Sequence, residues 1–216
     1  MRNRLLIWMV TAGMNLGVWA GETLLFEADF NSAPVGRAPE GMLVLDGGFA
    51  VVREGDRQWL ELPGAPLETY GVLAGPTEKE NVVVQARIRG TSQGRRHPTF
   101  AVGLGGSGGY RLEVSPGRRT IELRKGDLEL ASGPFEWRSG TWTLLRLQVV
   151  KAGERTWRVQ GKAWTEGTAE PAAWGLSVEE SAGPRPGRAA LWGCPFSGNP
   201  IQYDDLRVLR VVPAGT

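Results

Sequence analysis

The sequence predicts an all-β chain folded as two stacked antiparallel sheets, and three observations carry that expectation. Apolar and polar residues alternate with period two over at least six stretches. Clusters of Gly, Pro, Asp and Ser separate those stretches at a spacing of about ten residues, the rhythm of a sandwich. No stretch free of dense Gly or Pro carries apolar positions at the 3.6-residue spacing of a helix.

Each strand is visible by its own alternation. Val82, Val84, Ala86 and Ile88 alternate with Gln85, Arg87 and Arg89. Phe100, Val102 and Leu104 follow. Tyr110, Leu112 and Val114 alternate with Arg111 and Glu113, and Ile121 and Leu123 with Glu122 and Arg124. Leu145, Leu147 and Val149 alternate with Arg146 and Gln148. Trp157, Val159 and Ala163 alternate with Arg158, Gln160 and Lys162. A last strand is expected from about Ile201 to Val212. The turns fall at Asp46-Gly47-Gly48, Gly105–Gly109, Ser115-Pro116-Gly117, Lys125-Gly126-Asp127 and Lys151-Ala152-Gly153. The hairpin 142–164 permits a parity argument, because directly opposed residues share a face. For Leu145, Leu147 and Val149 to be buried with Trp157 and Val159, odd residues must oppose odd ones. A three-residue loop at Lys151-Ala152-Gly153, with Gly153 left-handed, satisfies this. The opposite face then carries Trp142, Arg146, Gln148, Arg158, Gln160, Lys162 and Trp164. Arg87, Arg89, Arg111, Glu113, Glu122 and Arg124 follow the same polar parity, so one sheet is expected to show water a face of Arg, Gln, Glu and Trp.

The first twenty residues read as a secretory signal: Arg2 and Arg4, an apolar run Leu5–Ala20, then polar Gly21 and Glu22. Cleavage near Ala20 leaves residues 21–216 as one domain, secreted or periplasmic and without membrane attachment. The chain has 25 Lys+Arg against 23 Asp+Glu; losing Arg2 and Arg4 balances the charges, which gives no support to a nucleic-acid partner. Cys194 is the single cysteine, so no internal disulfide forms. A mature chain of this size is long enough to bury a core without one.

The C-terminal half carries a family resemblance. Lys162-Ala163-Trp164-Thr165-Glu166-Gly167, Glu170-Pro171-Ala172-Ala173-Trp174, Gly187–Trp192 and Ser197-Gly198-Asn199-Pro200-Ile201-Gln202-Tyr203-Asp204-Asp205-Leu206-Arg207-Val208 resemble the closing part of laminin G-like, concanavalin A-like domains of bacterial secreted proteins. Phe26-Glu27-Ala28-Asp29-Phe30 and Trp142–Leu147 are similar to their first and middle strands. The resemblance implies a jelly-roll sandwich. It also implies a neighbourhood that includes lectin-like modules, glycoside hydrolases of family 16 and the 3-keto-disaccharide hydrolases.

Three functional readings follow. In the first, the domain binds carbohydrate or a cell-surface partner without catalysis, through Trp142, Arg146, Arg158, Gln160 and Trp164: aromatic planes take the apolar side of a sugar, Arg and Gln its hydroxyls. In the second it cleaves sugars, which requires two converging carboxylates. The one-strand Glu-x-Asp-x-x-Glu set of family 16 is absent: Glu27-Ala28-Asp29 begins it, and Ser32 and Ala33 stand where its last Glu should fall. His97 lacks an identifiable partner for acid–base work. In the third reading the domain is structural. Independently, the first and last strands are expected side by side, bringing Glu27, Asp29, Asp204 and Asp205 together as hard oxygen ligands for Ca²⁺.

Overall fold

The computed structural model describes residues 21–64 and 68–212. The expected leader, residues 1–20, lies outside them. Fifteen strands form β1 (Glu22–Ala28), β2 (Leu43–Asp46), β3 (Ala50–Glu54), β4 (Arg57–Leu62), β5 (Tyr70–Glu78), β6 (Val82–Arg89), β7 (Thr99–Leu104), β8 (Tyr110–Ser115), β9 (Thr120–Lys125), β10 (Leu128–Pro134), β11 (Trp142–Gly153), β12 (Thr156–Thr165), β13 (Leu176–Glu180), β14 (Gly187–Cys194) and β15 (Ile201–Val211). They make two antiparallel sheets. Sheet A runs β13-β12-β11-β6-β15-β4-β3, with β1 also on β15; sheet B runs β10-β9-β8-β7-β14-β5-β2. The predicted all-β sandwich is the observed one.

The alternation sorts the side chains as expected. Sheet A turns Val82, Val84, Ala86, Ile88, Leu145, Leu147 and Val149 inward. Sheet B answers with Phe100, Val102, Leu112, Val114, Leu123 and Leu191, and all of these are buried in one cluster. The layers touch closely where Gly161 faces Leu112: a Cβ at Gly161 would lie 2.3 Å from a Leu112 methyl.

The hairpin parity holds, with Leu145 opposite Ala163, Leu147 opposite Gly161 and Val149 opposite Val159. Its device differs from the expected one. Lys151 pairs with Trp157 and Gly153 with Thr156, so a bulge at Ala152 supplies the odd residue, and the chain turns later, at Glu154-Arg155. Gly153 is not in the left-handed region. A bulge and a three-residue loop satisfy the same parity, because each adds one residue to one strand.

The expected single polar face is in fact two. Arg87 and Arg89 stand on sheet A, whereas Arg111, Glu113, Glu122 and Arg124 stand on sheet B. Alternation tells inside from outside but not which sheet a strand joins.

Candidate functional site

The outer face of sheet A carries the residues singled out by the sequence, and its own chain occupies them. Trp142 and Trp164 point away from the core but retain only 8% and 7% of their surface. The Arg87 and Arg89 guanidinium carbons lie 4.8 and 4.9 Å from the Trp142 ring centre. Arg146 donates to Gln85 Oε1 at 2.8 Å and is ion-paired with Glu22 and, at 3.8 Å, Glu170. Gln160 accepts from Gln148 at 2.8 Å, and exposed Arg158 pairs with Glu179 at 3.0 Å. The segment after β12 folds back over this face: Lys162 Nζ donates to Pro171 O at 2.7 Å, pairs with Glu170 at 2.7 Å and lies 4.8 Å from the Trp174 ring centre.

The four acids expected to hold calcium are likewise committed. β1 does lie on β15, with Glu27 opposite Arg207. Glu27 pairs with Arg207 at 2.7 Å, and Asp29 accepts the Asn31 N–H at 3.1 Å. Asp204 and Asp205 both face Arg87, at 2.6 and 2.9 Å, and Arg87 also holds Glu166 at 2.7 Å. Burial pushes the Asp204 carboxyl up, against the pull of Arg87. The Asp-Asp pair sits at a bulge between Asp204 and Arg207, with Asp205 at φ 48°. Asp is among the few residues that tolerate this conformation. No group of three or more His, Cys, Asp or Glu among the described residues is arranged to hold a metal. Glu27, Asp204 and Asp205 are neutralised by arginine and Asp29 alone has none among the described residues, so the four do not fit a Ca²⁺ ion, which needs several uncommitted oxygens.

The outer face of sheet B is different. Trp192 on β14 lies flat across its neighbours and keeps 6% of its surface. The floor is made of residues with little or no side chain: Ala101, Ala190, Gly71 and Gly103. A Cβ at Gly71 would lie 2.3 Å from Trp192 Cζ3, and one at Gly103 would lie 3.0 Å from its Nε1. Above the indole sits Arg111, its guanidinium carbon 3.7 Å from the ring centre. Beside it the β8–β9 register sets like charge against like: Arg111 opposite Arg124, and Glu113 opposite Glu122. Directly opposed like charges cost stability. Only one half of this quartet is neutralised. Glu122, 1% exposed, accepts from Thr120 at 2.8 Å and pairs with Arg118 at 3.2 Å and Arg124 at 3.1 Å. Burial works to raise its pKa, and these partners bring it below the usual carboxylate value. Arg111 and Glu113 make no salt bridge among the described residues. Arg111 Nη2 donates to Ser107 O at 3.3 Å and its buried Nε has no partner; Glu113 accepts from Ser115 at 3.3 Å. Burial lowers the Arg111 pKa, while burial and then Glu122 raise that of Glu113. Trp192 Nε1 is also buried without a partner. Unmatched buried polar groups are uncommon in folded proteins. Here two of them, Arg111 Nε and Trp192 Nε1, meet on one apolar plate.

The strain has a measurable sign. Glu113 has a raised pKa in the fold, so its contribution to stability is complete below its unfolded value and is lost as pH rises through the folded one. Glu113→Gln keeps the neutral form at every pH. The variant is therefore expected to melt about 2 °C or more above the parent at pH 7, with the gap closing toward pH 4 in calorimetric scans. A gap that stays constant with pH contradicts the assignment.

The remaining candidates are packing groups. His97 meets Trp137 edge-on at 6.5 Å, and its buried Nδ1 has no hydrogen-bond partner. Burial raises the Cys194 thiol pKa, opposite to what a nucleophile needs.

No family model matches the chain, and no curated protein matches it by sequence. Solved structures do. The carbohydrate-binding module CBM66 from Bacillus subtilis aligns over 78% of this chain and 94% of its own, at 10% identity and a TM-score of 0.54. The carbohydrate recognition domain of Emp46p, in a metal-free form, aligns over 86% and 96%, at 10% identity and 0.58. The luminal domain of VIP36, in a Ca²⁺/Man3GlcNAc-bound form, aligns over 82% and 86%, at 10% identity and 0.53. The chain shares with them a jelly-roll, lectin-like β-sandwich.

Proposed function

We propose that this chain is a carbohydrate-binding, lectin-like domain whose ligand lies on the outer face of sheet B. The observation that carries this is the Trp192 plate with its unmatched neighbours. The indole lies flat on Gly71 and Gly103 beneath Arg111 and keeps 6% of its surface, so it becomes an apolar plane for a ligand that draws the guanidinium aside. Glu113 offers an acceptor for hydroxyls, and the Arg111 guanidinium offers donors. An apolar wall with a few convergent polar groups is the usual composition of a small-molecule site. The fold is shared with modules and recognition domains whose names state carbohydrate binding, which supports the same reading here. So does the resemblance of its C-terminal sequence to laminin G-like domains of secreted proteins. In this proposal the leader 1–20 is removed and the domain works outside the cytoplasm.

A glycan array tests it. The parent is expected to bind a subset of glycans, Trp192→Leu to lose about tenfold or more of that affinity as the plate shrinks, and Trp164→Leu to bind as the parent does. Loss in Trp164→Leu with binding intact in Trp192→Leu returns the site to sheet A. An array with no bound glycan refutes the proposal.

A further inference from the structure

The molecule stacks arginine on tryptophan on both outer faces, and the two stacks differ in their partners. On sheet A, Arg87 over Trp142 is held by Glu166, Asp204 and Asp205 within 2.9 Å. On sheet B, Arg111 over Trp192 lies nearer its ring, at 3.7 Å, and faces no carboxylate within ion-pair distance among the described residues. The register puts Arg124 directly opposite it, adding repulsion. The nearby acids relieve this only in part, Glu113 and Asp127 favouring the Arg111 charge without reaching ion-pair distance. Glu122 is taken by Arg118 and Arg124, Asp127 contributes its carbonyl to Arg124, and Glu129 lies 3.5 Å from Arg118 and 3.8 Å from Arg124. Glu113, two residues along the same strand, makes no salt bridge, and its burial favours the neutral form. A half-buried guanidinium with an idle Nε is short of one planar anion, the partner its fork is shaped for.

We infer that the ligand of this face is an acidic sugar, whose carboxylate pairs with Arg111 and draws the guanidinium off the indole, so that the sugar ring rests on the Trp192 face thereby uncovered. This rests on the sheet B reading above and names its ligand class. Two sources share the chemistry: a uronic acid within a polymer, and a terminal sialic acid. Pairing replaces the missing carboxylate, relieves the opposition of Arg111 and Arg124, and leaves Glu113 to accept sugar hydroxyls.

The test titrates the mature chain calorimetrically with oligogalacturonate, alginate oligomers and sialyllactose, each beside its methyl ester, at about 0.15 M salt so that diffuse attraction is screened. Xylo- and manno-oligosaccharides serve as neutral arms. At least one acid is expected to bind, with its ester about tenfold weaker. Arg111→Gln loses at least about thirtyfold of that affinity. Arg111→Lys, which keeps the charge but not the fork, loses about tenfold. The arm that binds identifies polymer or terminal acid. Melting curves establish that the variants are folded; if Arg111→Gln is not, Arg111→Lys decides. Equal binding of an acid and its ester, binding confined to neutral arms, or acid binding indifferent to Arg111 overturns the acidic-sugar inference and leaves sugar binding standing. Silence in every arm, neutral and acidic, overturns both.

Discussion

Arg87→Ala is expected to lower the unfolding free energy by about 3–5 kcal/mol, the cost of stranding a buried charge. Arg87 is the hub of sheet A. It neutralises Asp204, 8% exposed, from a strand of different origin, ties Asp205 at the bulge of β15, and reaches Glu166 beyond the end of β12. Its guanidinium also covers Trp142. Removing it leaves two adjacent carboxylates against each other on a bulged backbone and uncovers an indole. The loss has a pH signature. Burial already raises the Asp204 pKa against the pull of Arg87; without Arg87 it rises further. The deficit is therefore greatest near neutral pH and shrinks as acid protonates Asp204. Urea denaturation of the parent and Arg87→Ala at pH 7 and pH 4 checks both statements. A loss below about 1 kcal/mol at pH 7, in the range of exposed ion pairs, shows that the acids find water instead. Arg87→Lys is expected to recover part of the loss, since a point charge cannot serve three carboxylates at once.

The strands that alternate are legible in the sequence because their apolar positions recur with period two: β6, β8, β9, β11 and β12 follow from their residues alone. β14 and β5 do not, and the reason is the site itself. β14 reads Gly-Arg-Ala-Ala-Leu-Trp-Gly-Cys and β5 begins Tyr-Gly-Val-Leu-Ala-Gly. Their outer positions, Gly71, Leu73, Ala190 and Trp192, are small or apolar because they form the plate and its floor. A strand dry on both faces loses its period of two. Trp142 and Trp164 were correctly placed outside the core by parity. Parity says nothing of what covers them, and the cover comes from remote segments: Arg87 and Arg89 for Trp142, and for the neighbouring Lys162 the run Glu170–Trp174. The acidic motif Asp204-Asp205 suggested oxygen ligands, yet its nearest cation, Arg87, lies 117 residues away in the chain. Arg111, Glu113, Glu122 and Arg124 were recognised as outward-facing. Their significance lies in the register, like charge opposite like, and a register is a property of two strands rather than of either sequence.

Gly71→Val separates the plate from the fold, and its largest effect is expected on binding. Gly71 has no left-handed backbone requirement, so what selects glycine there is Trp192 alone: the Cζ3 and Cε3 atoms would stand 2.3 and 2.5 Å from a new Cβ, and the ring must lift off. Two contributions to stability oppose each other. Displacing the indole costs about 1–3 kcal/mol, as overpacking does. Exchanging a strand glycine for a β-branched residue returns about 0.5–1 kcal/mol through backbone entropy and propensity. The net change is thus about 2 kcal/mol or less, too small to unfold a domain of ordinary stability. The ligand loses its plane altogether, a loss of about 2 kcal/mol or more for a central Trp anchor, equivalent to roughly thirtyfold in affinity. Titrating Gly71→Val with whichever glycan the parent binds, beside its melting curve, gives both numbers. Binding retained in a folded Gly71→Val protein means that sugar does not rest on Trp192, and the glycines of sheet B then serve packing alone.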